Sequence, residues 1–230
     1  MKKLILLALI GFLINPAFAQ LNITGTATMN VAPEETIVSY SISSTHDNYE
    51  EAIGTMTSRI DALTRALSRI GFKKEEIKTA NFNIRQSRKY KQGELRGHEY
   101  TASQQLEIQF DYSTKRLLEV LNSTAADDAS PAVSITFGMS DAQEKEVKTQ
   151  LLKLAVADAK AKAELLAQET GYKITGIREI NYGSSSPQVP RQSANVGMMK
   201  TFAESDMSNF EAKDLTVSDQ VYISYQIGNE

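Results

Sequence analysis

The groups that could do chemistry are few. The chain has two histidines, His46 and His98, and no cysteine. Without a thiol there is no thiolate nucleophile, no disulfide exchange and no thiolate ligation of zinc or iron–sulfur clusters. The histidines are far apart and lack the spacing of a metal pair, which argues against haem and copper. His98 has a carboxylate beside it in Glu99, and an imidazole next to a carboxylate could work as an acid/base pair. Adjacent strand residues point to opposite faces, so a solvated surface histidine is the plainer reading. Neither a phosphate-cradling glycine loop nor a nucleophile elbow is found, and Gly25-Thr26-Ala27 falls inside a strand rather than before a helix. The expectation is a chain with no catalytic residues, no cofactor and no metal.

What remains is surface chemistry. Arg85, Arg88, Lys89, Lys91 and Arg96 crowd one hairpin of an otherwise acidic chain. They could hold a lipid headgroup, a glycan phosphate or an acidic patch on a neighbouring subunit. The structural alternative is a solvated tip whose charges discourage strand-to-strand aggregation. Lys145, Lys148, Lys153, Lys160 and Lys162 alternate with Glu144, Glu146, Asp158 and Glu164, the pattern of a salt-bridged exposed helix face. On the same segment Ala155, Ala159 and Ala163 are small enough to let another subunit approach, and assembly is assigned to them. Met198, Met199 and Met207 could be oxidised sacrificially or meet an apolar partner.

The elements that must position these residues follow from periodicity. Of 230 residues 41% are hydrophobic and 23% charged, an ordinary globular balance that excludes collagenous and disordered classes. Residues 1–19 read as a cleavable signal peptide: Lys2 and Lys3, an apolar run over 4–14, then Ala17-Phe18-Ala19 at a small-x-small site. A mature chain from Gln20 carries 23 basic against 28 acidic side chains, a formal charge of −5 that gives no reason to expect a nucleic-acid partner. No later apolar run reaches the roughly 20 residues of a membrane span, so no transmembrane segment is expected in the mature chain. The expected location is the periplasm.

Residues 23–31 alternate apolar and polar, and 36–45 form a second β-rich run across the break at Ala32-Pro33-Glu34; the short break predicts an antiparallel hairpin. Ile53, Met56, Ile60, Leu63, Leu67 and Ile70 then follow a helical period, with Asp47 or Asn48 to cap the start and Gly71 to end it. A strand from about 81 to 90 turns at Gln92-Gly93-Glu94 into a long return strand over about 97–110. Ser113 caps a short helix containing Leu117, Leu118, Val120 and Leu121. A strand over 132–139 precedes a long helix to Thr170, where Ser140 and Gln143 have capping-box spacing. Residues 174–182 form another strand, 183–210 a long mobile loop without usable period, and Leu215, Val217, Val221, Ile223, Tyr225 and Ile227 mark a last strand. The order predicts an α+β class, with a largely antiparallel sheet packed by helices, in a single domain over 20–230.

The stretches ITGTATMNVAPEE (23–35), RALSRIGFKKEEIKTANFNI (65–84), EYTASQQLEI (99–108), ITFGMSDAQ (135–143) and LAVADAKAKAELLAQETG (154–171) resemble the SIMPL-domain family, which includes YggE-like periplasmic and outer-membrane immunogenic proteins. Ala27 and Glu99 stand where that family commonly has glycine. The resemblance implies an exported α+β protein, a homo-oligomer of ring-like or channel-like form, in a family associated with oxidative-stress tolerance, and it brings no agreed catalytic residues. The expected function is that of a noncatalytic structural or interaction protein of the envelope. The alternative is a binding module for an anionic envelope lipid, glycan or small ligand at the basic hairpin.

Overall fold

The computed structural model describes residues 19–125, 131–183, 192–196 and 211–229, with Lys91 and residues 192–196 described by their backbone only. The element order is β1 (Ala19–Val31), β2 (Glu35–His46), α1 (Tyr49–Arg69), a single 3-10 turn (Lys74–Glu76), β3 (Lys78–Lys91), β4 (Glu94–Asp111), α2 (Thr114–Thr124), β5 (Ala132–Gly138), α3 (Asp141–Thr170), β6 (Lys173–Asn181), β7 (Gln192–Val196) and β8 (Leu215–Gly228). The strands form a three-stranded sheet ordered β1-β8-β6 and a five-stranded sheet ordered β3-β4-β2-β5-β7. With three helices beside these sheets, the chain is α+β.

Two expectations change. β1 and β2 are not a hairpin: they lie in different sheets. A hairpin turn would satisfy its own backbone, whereas here the connector's groups go elsewhere. The Ala32 carbonyl accepts from Gln143 Nε2 at 2.9 Å. The Glu34 amide donates to the Gly138 carbonyl at 3.0 Å, and the Glu34 carbonyl accepts from the Tyr112 amide at 2.7 Å. For the same reason the capping box at α3 is only half formed. Ser140 Oγ accepts from the Gln143 amide at 3.1 Å, but the Gln143 side chain has turned to Ala32. The second change is in 183–210, expected to be loop throughout: it contains β7, which pairs antiparallel with β5 from Val133↔Val196 to Phe137↔Gln192. The rest of that loop, with Met198, Met199 and Met207, and residues 1–18 of the expected signal peptide lie outside the described residues.

Contacts divide the chain into two compact units. The described parts of Thr28–Gln150 and Pro187–Ser218 make the larger. Its core is built where the inward row of β2 (Val38, Tyr40, Ile42) and that of β4 (Ala102, Leu106, Ile108) meet α1 through Met56, Leu63 and Leu67 and α2 through Leu117, Val120 and Leu121. The two strands run antiparallel in unbroken register from Glu35↔Asp111 to His46↔Tyr100, which keeps both apolar rows on one face. Asn48 caps α1, its Oδ1 accepting from the amides of Glu50 at 2.7 Å and Glu51 at 3.1 Å. Ser113 caps α2 through the Arg116 amide at 3.1 Å. Burial holds the Tyr40 phenol well above its ordinary pKa, against the smaller opposing pull of its hydrogen bond with Thr124.

The smaller unit comprises the described parts of Met1–Ala27, Leu151–Ser186 and Asp219–Glu230. In it, β1, β8 and β6 lie side by side, with β6 and β8 antiparallel and two register shifts in β6 between Ile174 and Gly176 and between Ile177 and Glu179.

Candidate functional site

Among the described side chains of the basic hairpin, Arg85, Arg88, Lys89 and Arg96 do not share one face free of partners. β3 and β4 pair regularly from Asn81↔Gln105 to Arg88↔His98. Arg85 and Arg88 differ in parity within that stretch and so lie on opposite faces. Lys89 is engaged by Asp47, with Nζ at 2.6 Å from Oδ1 and 2.8 Å from Oδ2, and this hydrogen bond holds the amine above its ordinary pKa. Arg96 pairs with Glu94 at 2.9 Å. Lys91 pairs with Glu94 through the backbone ladder. His98 is exposed, while Glu99 accepts from Ser87 Oγ at 3.2 Å on the other face.

The alanines face inward. Ala155, Ala159 and Ala163 are completely buried within their own unit, followed by Ala167, so the assembly contact expected of them is replaced by an internal one. Their partner is β1. A Cβ added to Gly25 would lie 2.0 Å from the Ala155 carbonyl oxygen and 2.7 Å from the Ala159 methyl. Strand and helix approach as closely as backbone allows, and only glycine against alanine fits. The edge of β1 is closed by charge from the same helix: Asp158 Oδ2 accepts from the Thr26 amide at 2.7 Å, and Lys162 Nζ reaches the Thr24 carbonyl at 3.2 Å and Asp158 at 2.6 Å. Lys162 first, and the Thr26 amide second, hold the Asp158 carboxyl below its ordinary range.

This narrow contact leaves apolar surface uncovered. The buried residues Leu151, Ala155, Ala159, Ala163 and Ala167 recur every fourth position. At 100° per residue each step drifts about 40° around the helix, so the buried line is one residue wide. Leu154, Val156, Leu165 and Leu166 fall off it and are exposed. Between α3 and β6 a groove of about 1030 Å³ opens, with Val156 and Ala167 on the helix side and Ile174, Ile177 and Ile180 on the strand side; Ile223 and Tyr225 of β8 also line it. Ile177 is 56% and Ile180 59% exposed, values far from those of a folded core. Polar groups stand at its margin, where Lys160 and Glu164 are 3.7 Å apart. Burial and the Glu164 charge both raise the Tyr225 phenol.

Sequence reasoning missed Asp219. It occupies an inward position of β8 between Val217 and Val221 and is buried. Its Oδ2 accepts from the Tyr182 hydroxyl at 2.9 Å and its Oδ1 from the Gln220 amide at 2.7 Å. The available signal was an acid standing in the period-two apolar row of the last strand.

The fold is that of an α+β chain that presents, among the described residues, an open apolar groove. The chain belongs to the SIMPL family, described as a protein of unknown function (DUF541), whose model matches residues 21–225. A comparison with curated proteins found no match.

Proposed function

We propose that the chain is an exported, noncatalytic assembly protein of the cell envelope, which self-associates through the α3/β6 groove of its smaller unit. The observation that carries this reading is the exposure of Val156, Ile177 and Ile180 around one groove, with Leu165 and Leu166 exposed further along the same helix. An apolar patch of this kind marks a contact surface on a soluble protein. A second copy is the simplest occupant, because a two-fold axis brings the same patch to itself and buries it on both sides at once. The two register shifts of β6 against β8 are irregularities of the kind that disfavour strand addition at an edge, which supports a contact made by side chains.

Two strands of support point to the setting. The amino-terminal lysines, apolar run and Ala17-Phe18-Ala19 fit export to the periplasm, with outer-membrane association as a further step. The family resemblance supports a role in tolerance of oxidants, which an assembly exerts indirectly by maintaining the envelope. Light scattering across a dilution series tests the assembly, and complementation of a deletion strain challenged with peroxide tests the setting. A monomer at every concentration refutes the first. Full peroxide resistance in the deletion strain refutes the second.

A further inference from the structure

The outer face of the β1-β8-β6 sheet carries a second, chemically different concavity. It lies on the opposite side of β8 from the apolar groove: Ile223 and Tyr225 point toward α3, so Tyr222 and Ser224 point away. The register Glu179↔Ser224 and Asn181↔Tyr222 brings β6 residues to the same place. With Asn22 and Thr24 from β1 they line a pocket of about 420 Å³, within the range of about 300–1,000 Å³ typical of small-molecule sites.

The lining combines apolar surface from Ile23, Ile223 and the Tyr222 ring with polar side chains whose hydrogen-bonding capacity is unspent. Ser224 Oγ is shut off from solvent and has no hydrogen-bond partner among the described residues, an orphaned polar group that a ligand hydroxyl would satisfy. Among the described residues, the side chains of Asn22, Thr24, Glu179 and Asn181 make no hydrogen bond or ion pair within the chain. Asn22 and Asn181 each offer a carbonyl oxygen and an amide nitrogen, and Thr24 and Ser224 each offer a hydroxyl. Tyr222 contributes an aromatic ring that is 45% exposed. Among the described residues that line the pocket, Glu179 is the only ionisable group other than that phenol, and none is a cation.

We propose that this pocket binds one neutral pyranose unit of an oligosaccharide. Each part of the ligand has a counterpart. The apolar C–H face of the ring stacks on Tyr222, its vicinal hydroxyls take the donor and acceptor of Asn22 and Asn181, and an inward hydroxyl completes Ser224 Oγ. The Glu179 carboxylate accepts a further hydroxyl and repels phosphate and sulfate groups, which separates this site from any anion binding at the basic hairpin. The site does not depend on self-association, because the apolar groove uses the other face of the sheet.

Saturation-transfer NMR of the purified chain with maltotriose, cellotriose and chitotriose tests the proposal, with putrescine as a cationic competitor. Saturation reaches the ring protons of at least one trisaccharide at millimolar concentration, and the signal is the same at low and high salt. Tyr222→Ala and Asn181→Ala each weaken the affinity by about tenfold or more, the loss expected when a central contact is truncated. Tyr222→Phe, which keeps the ring, retains binding and guards against a folding artefact. Transfer to none of the three trisaccharides overturns the proposal. So does binding that survives Tyr222→Ala, or a pocket that putrescine occupies and the sugars do not.

Discussion

Gly25 is the residue on which the smaller unit closes, because its missing side chain is what lets β1 reach α3 at Ala155 and Ala159. Gly25→Ala places a methyl where a carbonyl oxygen already lies, and the helix or strand must shift. A loss of about 1–3 kcal/mol, the usual cost of overpacking, is expected as a lowered midpoint in urea. Asp219 poses the opposite problem. Tyr182→Phe removes the hydroxyl that donates to this buried carboxylate and is expected to cost about 1–3 kcal/mol in the same assay. Asp158 governs a pH dependence. Its carboxyl is held below its ordinary value by Lys162 and the Thr26 amide, so its folded form favours ionisation more than the unfolded chain does. The stability it adds is therefore fully present above the ordinary aspartate range and is lost as pH falls through the depressed value. Thermal midpoints of the wild type and Asp158→Asn should differ at neutral pH and converge in acid. Of these residues Gly25, the alanines, Asp158 and Lys162 drew notice in the sequence, the last two only as members of an exposed charged face. Spacing shows that an alanine stripe can approach something closely, but not whether that neighbour is another subunit or the chain's own first strand.

At the scale of elements, the helices and the sheet of the larger unit were legible because their periods are regular. Ile53 to Ile70 follow a helical spacing, and the return strand alternates through Tyr100, Ala102, Leu106 and Ile108 without a break. Capping was legible too, and Asn48→Ala, which strips acceptors from the Glu50 and Glu51 amides, should lower stability by about 1 kcal/mol in chemical denaturation. The failures have a common cause. The hairpin expected of β1 and β2 was inferred from a short connector, yet Ala32 and Glu34 give their backbone groups to Gln143, Gly138 and Tyr112, partners about 80–110 residues away that no local pattern reveals. β7 is only five residues long and sits in a Ser- and Asn-rich stretch, where pairing with β5 rather than propensity makes the strand. The basic hairpin shows the same limit. Its charges are adjacent in sequence, but the pleat sends Arg85 and Arg88 to opposite faces, and Asp47 takes Lys89 from another loop.

For the whole molecule, the sequence excluded thiol chemistry more readily than it located surfaces. The absence of cysteine was a matter of counting, whereas the α3/β6 groove arises because a one-residue-wide alanine line leaves the neighbouring leucines and isoleucines uncovered. Among the described residues, no helix is long and apolar enough to cross a membrane, and no group of histidine, aspartate and glutamate side chains could hold a metal ion. Sedimentation equilibrium of the purified chain beside Ile177→Lys/Ile180→Lys, with circular dichroism to confirm that both are folded, tests the groove as the contact between copies. The wild type should weigh a multiple of the chain mass and the folded variant a single chain. A wild type that is monomeric, or a variant that keeps the wild-type mass, would contradict it.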